Sequence, residues 1–320
     1  MDEWSADDKL PLEHLPRFRN LVPPEWVKAI IDGEKPEEFD GGRVVICHNH
    51  YRNPNDYDMG HIPGAISVDT LELEESHMWN RRSPEEIEAV LKEKGIDANT
   101  TVIMYGRFTN PDNRDPFPGS NAGHIGAHRN ALIMLYAGVR DVRIINGGLM
   151  AWERLGYPTE KKSINPVPVD EFGVNVPANP NVFIDIDEAK EYIASEDSDL
   201  VSIRSWDEFI GEKSGYNYID IKGRIPGAVF GNCGSDAYHM ENFRNHDHTT
   251  LEYSALEKNW LDIGITPNKN IAFYCGTGWR ASEAFFNAYY LGWNKISVFD
   301  GGWMEWSNDP NNPIETGVPK

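Results

Sequence analysis

The chain of 320 residues carries 30 Lys plus Arg against 51 Asp plus Glu, a formal net charge of −21. That excess repels phosphate backbones and anionic membranes, so nucleic acid and membrane surfaces are not expected partners, and an anionic substrate has to be drawn in by local positive groups. Hydrophobic residues at 40%, with 10 Trp, supply the cores of the two domains that this length implies.

In chain order, short β-rich runs alternate with helix-like runs. Strands are expected at Val44 to Cys47, Thr101 to Tyr105 and Val142 to Ile145, then at Leu200 to Ile203, Ile271 to Tyr274 and Ile296 to Phe299. Ser83 followed by Pro84, Glu85 and Glu86 is an N-cap and first helical turn, and Ala127 to Tyr136 and Ala281 to Leu291 read as further helices. The alternation points to an α/β fold, a parallel sheet flanked by helices in each half. The stretch Asn165 to Asn181 is rich in Pro and Asn and reads as an extended linker, which places domains at 1–160 and 182–320 with the linker at 161–181.

The halves repeat one another. Gly60-His61-Ile62-Pro63-Gly64-Ala65 returns as Gly223-Arg224-Ile225-Pro226-Gly227-Ala228, Ser76-His77-Met78 as Tyr238-His239-Met240, and the segment from Asn146 to Trp152 as that from Asp300 to Trp306. Three collinear matches argue for duplication.

Three cysteines, Cys47, Cys233 and Cys275, are too few and scattered for a disulfide framework or a zinc site. Met1 to Leu10 lacks the basic-then-apolar order of a signal peptide, so a reducing, cytoplasmic compartment is the simpler expectation. No metal or organic cofactor is expected. His239, His246 and His248 read as solvated or capping histidines, and Cys233 as an inert thiol rather than a resolving one.

The chemistry gathers at Cys275. A buried strand, the loop Cys275-Gly276-Thr277-Gly278-Trp279-Arg280 and a following helix put the thiol at a strand's carboxyl end, facing a helix N-terminus. Gly276 and Gly278 leave room for the amides around Thr277 to point inward as an anion nest, and Arg280 adds a permanent charge suited to sulfonate or carboxylate oxygens. Such surroundings favour a thiolate nucleophile. Trp279 either lines the pocket mouth or packs between the domains.

This loop resembles the active-site loop of rhodaneses, and the two Gly-x-Ile-Pro-Gly-Ala segments and the Gly-Gly-x-x-x-Trp segments are similar to that family's other signatures, from Leu21 to Trp306. The resemblance implies two tandem rhodanese-like domains, the second catalytic and the first inactive, and a ping-pong cycle through a persulfide on Cys275. It also implies that Arg224, in the place of His61, faces the persulfide; the alternative for Arg224 is a salt bridge at the surface. Arg204 falls at the family's Asp-x-Arg-Ser strand end, but Ser202 replaces the acid, so it reads as a structural arginine bonding nearby backbone. In the first half Gly106 stands where Cys275 would be, and the 42 positions from Tyr105 to Gly147, against 27 from Tyr274 to Gly301, mark an insertion at Gly106 to Gly126. The insertion is either a surface loop or a flap over the second domain's pocket that supplies Arg107, Arg114 or His124. The expected reaction moves sulfane sulfur from a small anionic donor, thiosulfate ahead of mercaptopyruvate, to cyanide or a thiol acceptor that can be a thiol protein. A noncatalytic persulfide carrier is the alternative.

Overall fold

Strand order is the same in both halves, as duplication requires. The computed structural model describes residues 20–52, 54–108 and 123–319. The first sheet contains β1 (Leu21–Val22), β2 (Val44–His50), β3 (Ile66–Asp69), β4 (Thr101–Gly106) and β5 (Asp141–Ile145), ordered β1-β5-β4-β2-β3. The second contains β6 (Phe183–Ile184), β7 (Ser198–Ser202), β8 (Val229–Phe230), β9 (Asn270–Tyr274) and β10 (Ile296–Phe299), ordered β6-β10-β9-β7-β8. All pairings are parallel. Helices α1 (Pro24–Ile31), α2 (Asn55–Asp58), α3 (Pro84–Glu93), α4 (Gly123–Ala137) and α5 (Gly148–Arg154) flank the first sheet, and α6 (Ile186–Ala194), α7 (Trp206–Phe209), α8 (Tyr253–Leu261), α9 (Trp279–Tyr290) and α10 (Gly302–Asn308) the second. The α/β architecture with two parallel sheets is the one read from the sequence.

The six strands legible in the sequence lie at the centres of the sheets, where burial on both faces selects continuous apolar runs. The edge strands β1, β3, β6 and β8 are two to four residues long and too short to show a period. Helix α3 starts as expected: the Ser83 hydroxyl accepts from the Glu86 amide while Glu86 reaches back to the Ser83 amide. Helix α4 begins one turn earlier than expected, at Gly123. All of it except Leu135 is buried, because it lies between its own sheet and α9; it therefore has apolar residues all round rather than on one stripe. The linker has neither helix nor strand over Asn165 to Asn179, yet it is tied to the first half: Phe172 is buried, its carbonyl accepts from the Ala98 amide at 2.8 Å, and the Val169 amide donates to Lys92 at 3.0 Å.

The repeated segments do the same structural work in each half. Trp152 and Trp306 are buried, and their indole N–H groups donate to Pro158 and Pro313 at 2.9 Å. His61 pairs through its backbone with Glu160, and Arg224 does so with Glu315, so the chain leaving each sheet returns to clasp the Gly-x-Ile-Pro-Gly-Ala turn.

Candidate active site

Cys275 follows β9 directly and is only 1% exposed. The loop that carries it is fixed from both sides. Its carbonyl accepts from the Trp303 amide at 2.8 Å and the Gly276 carbonyl from Met304 at 3.0 Å, so the first turn of α10 holds the loop from below. Gly302 has φ +54°, and a Cβ there would lie 2.7 Å from the Cys275 carbonyl oxygen. Above the loop, the Gly276 amide donates to the Tyr216 hydroxyl at 3.0 Å, and a Cβ on Gly276 would enter the Tyr216 ring at 2.3 Å. Gly278 caps α9 at φ +88°, with its carbonyl accepting from the amide and hydroxyl of Ser282. The glycines thus serve close backbone approach, and the Gly276 amide, expected to be a free member of an anion nest, is already engaged.

Arg280 differs from expectation. It is buried and forms a bidentate pair with Glu208, Nη1 to Oε2 at 3.0 Å and Nη2 to Oε1 at 2.9 Å, while also donating to the Asp236 carbonyl and the Tyr216 hydroxyl. Its positive charge is neutralised at contact distance, so it frames the pocket rather than presenting a free cation to an oxyanion. Burial alone would raise Glu208, but Arg280 and Arg204 outweigh it and hold the carboxyl down at about 2. Because that value lies below the usual 4.5, the stabilisation is full above pH 4.5 and is lost as the pH falls through 2; its size is about 3 kcal/mol. We therefore expect urea midpoints of the intact chain to drop steeply between pH 4.5 and 2, and those of Glu208→Gln, already lowered at neutral pH, to drop less.

Arg224 is not at the site. Its guanidinium donates to the Gly317 carbonyl at 2.6 Å, pairs with Glu315 at 3.1 Å and lies over the Phe209 ring, because the returning chain end passes on that side of the turn. The salt-bridge alternative therefore holds and the persulfide-facing role does not. Arg204 is structural as expected, donating to the carbonyls of Gly223 at 2.7 Å and Ser214 at 3.0 Å.

The cleft over Cys275 is open to solvent on one side, has a cavity volume of about 90 Å³ and is walled mainly by aromatic rings, with Arg280 and Ala237 completing the lining. Tyr216, Tyr218, Tyr238 and Trp279 come from the second half, Tyr51 and Trp79 from the first. Thr277 and Ile125 also face it. Trp79 stacks on Tyr218 with centroids 4.6 Å apart, and Tyr51 meets Trp279 edge-on at 5.2 Å. Trp279 therefore fills both roles left open by the sequence, lining the cleft and joining the halves.

Of the insertion residues, Arg107 pairs with Asp56 of its own half at 2.6 Å, and His124 is buried beside Phe108. Arg114 lies outside the described residues. The first half's contribution is instead Tyr51, Trp79 and Ile125, which no motif announced. At the position that corresponds to Cys275, a side chain on Gly106 would strike the Gly123 carbonyl at 2.1 Å. Cys47 and Cys233 are fully buried, and burial pushes both thiols up to about 12. Among the described residues no group of three or more His, Cys, Asp or Glu could hold a metal ion, and no helix is long and apolar enough to cross a membrane.

A rhodanese-like domain model matches the chain twice, over residues 17–155 and 185–309. The chain belongs to the rhodanese family of sulfurtransferases. It is 43% identical over 307 residues to the thiosulfate sulfurtransferase YnjE of Escherichia coli strain K12, covering 96% of this chain and 67% of that one. Similarity to the sulfur carrier protein TtuD of Thermus thermophilus is 27% over 305 residues, covering 93% and 96%. Among solved structures, the anaerobic ergothioneine biosynthesis enzyme of Chlorobium limicola, in complex with its natural substrate trimethyl histidine, superposes with TM-score 0.93 at 57% identity, over 99% of this chain and 74% of that one. An EanB variant carrying a cysteine persulfide in a tetrahedral intermediate state with ergothioneine matches equally well, at TM-score 0.93 and 57% identity over 99% and 75%. The tyrosine and the threonine replaced in EanB variants stand at the same sequence distances from its persulfide cysteine as Tyr216 and Thr277 stand from Cys275.

Proposed function

We propose that this chain carries sulfane sulfur as a persulfide on Cys275 and transfers it to the imidazole ring of trimethyl histidine or a close betaine of that kind. The observation that carries this reading is the cleft itself: rings of Tyr51, Trp79, Tyr216, Tyr218, Tyr238 and Trp279 surround the thiol, and the arginine beside it is neutralised by Glu208. Aromatic faces attract a quaternary ammonium by about 0.5 to 2 kcal/mol per contact and stack on an imidazole. They offer little to a bare dianion. The acidic surface, which repels thiosulfate at long range, is indifferent to a zwitterion with no net charge.

In the loading step the Cys275 thiolate attacks the outer sulfur of a sulfane donor, and the donor's remaining fragment departs with the electron pair of the broken S–S bond. Thiosulfate, releasing sulfite, and a polysulfide both satisfy this balance; mercaptopyruvate, releasing pyruvate, is the third donor to test. In the transfer step a hydrogen bond from the Tyr216 hydroxyl to a ring nitrogen acidifies the ring carbon between the two nitrogens; its proton passes to solvent, its C–H electron pair becomes the new C–S bond, and the persulfide S–S pair returns to Cys275. No further oxidant is required, because the sulfane sulfur is itself the two-electron oxidant: it is reduced to the sulfide level as the ring carbon is oxidised from C–H to C–S.

The Tyr216 hydroxyl supports this chemistry. It accepts from the Gly276 amide and from Arg280, leaving its own proton free to point into the cleft. Burial raises its pKa well above 10 against the pull of Arg280, so the hydroxyl keeps its proton at neutral pH and is available as a hydrogen-bond donor.

The test is single-turnover discharge of the persulfidated protein by trimethyl histidine and, in parallel, by cyanide, with products identified by mass spectrometry. We expect one equivalent of the sulfurated imidazole. Thiocyanate from cyanide with the betaine unchanged would instead favour a thiosulfate sulfurtransferase, the activity in the name of the relative YnjE.

A further inference from the structure

The loop from Leu73 to Arg82 of the first half reaches across to the second half: Trp79 lines the cleft, while Glu74 and Arg81 bond residues of the second half. Glu74 is fully buried, and both of its carboxylate oxygens accept from the Trp279 indole N–H at 2.9 Å. Arg129 of α4, also fully buried, holds that carboxylate with Nε at 3.1 Å, and its Nη2 reaches the Trp79 carbonyl at 2.8 Å and Asp300 at 2.6 Å. Asp300, which ends β10 at the repeated Gly-Gly turn, accepts from the Arg81 backbone and side chain as well. The loop closes on itself, with backbone bonds from Glu75 to Asn80 and from Arg82 to Leu73. A chain of buried charge-assisted bonds, Trp279 to Glu74 to Arg129 to Asp300 to Arg81, thus ties one half to two corners of the other half's site.

Trp279 is the first residue of α9 and a wall of the cleft, and its indole N–H finds its acceptor, Glu74, in the other half. The same loop brings Trp79 against Tyr218, the facing wall. We propose that Glu74 is a positioning residue for the acceptor: through Trp279 it fixes the aromatic wall on which the acceptor's ring or ammonium lies, so that the cysteine-free half sets acceptor choice for the half that holds the nucleophile. The inference rests on the reading that the cleft takes an acceptor as large as trimethyl histidine. Glu74 does not touch the reacting atoms and is not a catalytic residue.

An acceptor that does not use the wall separates this role from a general structural one. Cyanide needs access to the outer sulfur and nothing more. The experiment loads the full-length chain, Glu74→Ala and Glu74→Gln with sulfur and follows discharge by trimethyl histidine and by cyanide across acceptor concentration. Loss of a buried charge-assisted bond is expected to raise KM for trimethyl histidine about tenfold or more in Glu74→Ala, with the cyanide rate held within about twofold. Glu74→Gln keeps a carbonyl acceptor for the indole and should recover most of the KM. An unchanged KM for trimethyl histidine, or an equal loss with both acceptors, overturns this inference alone. An intact chain that discharges to cyanide and never to trimethyl histidine overturns the proposed function, and this inference with it.

Discussion

Cys275→Ser is expected to abolish sulfur transfer with every donor and acceptor, a loss of about a thousandfold or more, because a hydroxyl can neither ionise at neutral pH nor hold a sulfane sulfur. The replacement removes little volume from a residue that is 1% exposed, so the fold should persist and far-ultraviolet circular dichroism should be unchanged. No other thiol can take over. Cys233 and Cys47 are fully buried and held in the neutral form, and in the first half the corresponding position is Gly106, pressed against the Gly123 carbonyl. Mass spectrometry after incubation with donor checks the point directly: the intact chain should gain the mass of one sulfur atom on the peptide containing Cys275, and the serine variant none. Residual turnover, or sulfur found on Cys233, would sink the assignment of the nucleophile.

Cys275 could be read from the sequence because its signal is local. A buried strand, two glycines and a helix start lie in one unbroken segment, and each follows from short-range physics. The duplication was legible for a similar reason, since Trp152 and Trp306, or His61 and Arg224, occupy the same place in the same turn. What failed was the assignment of charge. The sequence pattern points Arg280 and Arg224 toward a substrate, whereas in the structure both pair with carboxylates and carbonyls: Glu208 lies 72 residues from Arg280 in sequence and Glu315 lies 91 from Arg224. Nothing local announces such partners. In a chain with 51 acidic residues an arginine near a site has many competitors for its charge. The aromatic wall escaped notice because it is assembled from separate places, Tyr51 and Trp79 in one half and Tyr216, Tyr218, Tyr238 and Trp279 in the other. Trp279 lies in the active-site loop and Tyr238 in a repeated segment, but Tyr51, Trp79, Tyr216 and Tyr218 belong to no spaced motif. The insertion points to Arg107, Arg114 or His124, whereas among its described residues it is Ile125 that lines the cleft.

Tyr216→Phe is expected to slow transfer to the acceptor by about a hundredfold or more while leaving persulfide formation on Cys275 largely intact. The two steps separate because loading needs only the thiolate and a leaving group that carries away its own charge, whereas transfer to a ring carbon needs a proton placed where charge develops. The Tyr216 phenol is placed for that: it receives hydrogen bonds from the Gly276 amide and Arg280 and has its proton left over. Phenylalanine keeps the ring that packs on Gly276, so the effect should appear in kcat rather than in KM. It also withdraws an acceptor from Arg280, whose hold on Glu208 remains, so a moderate loss of stability should accompany the loss of rate. The measurement is a pair of single-turnover experiments, one following sulfur onto Cys275 and one following it off, with the variant and the intact chain side by side. Equal slowing of both steps would mean that Tyr216 acts only by shaping the loop, and unchanged discharge would remove it from the reaction.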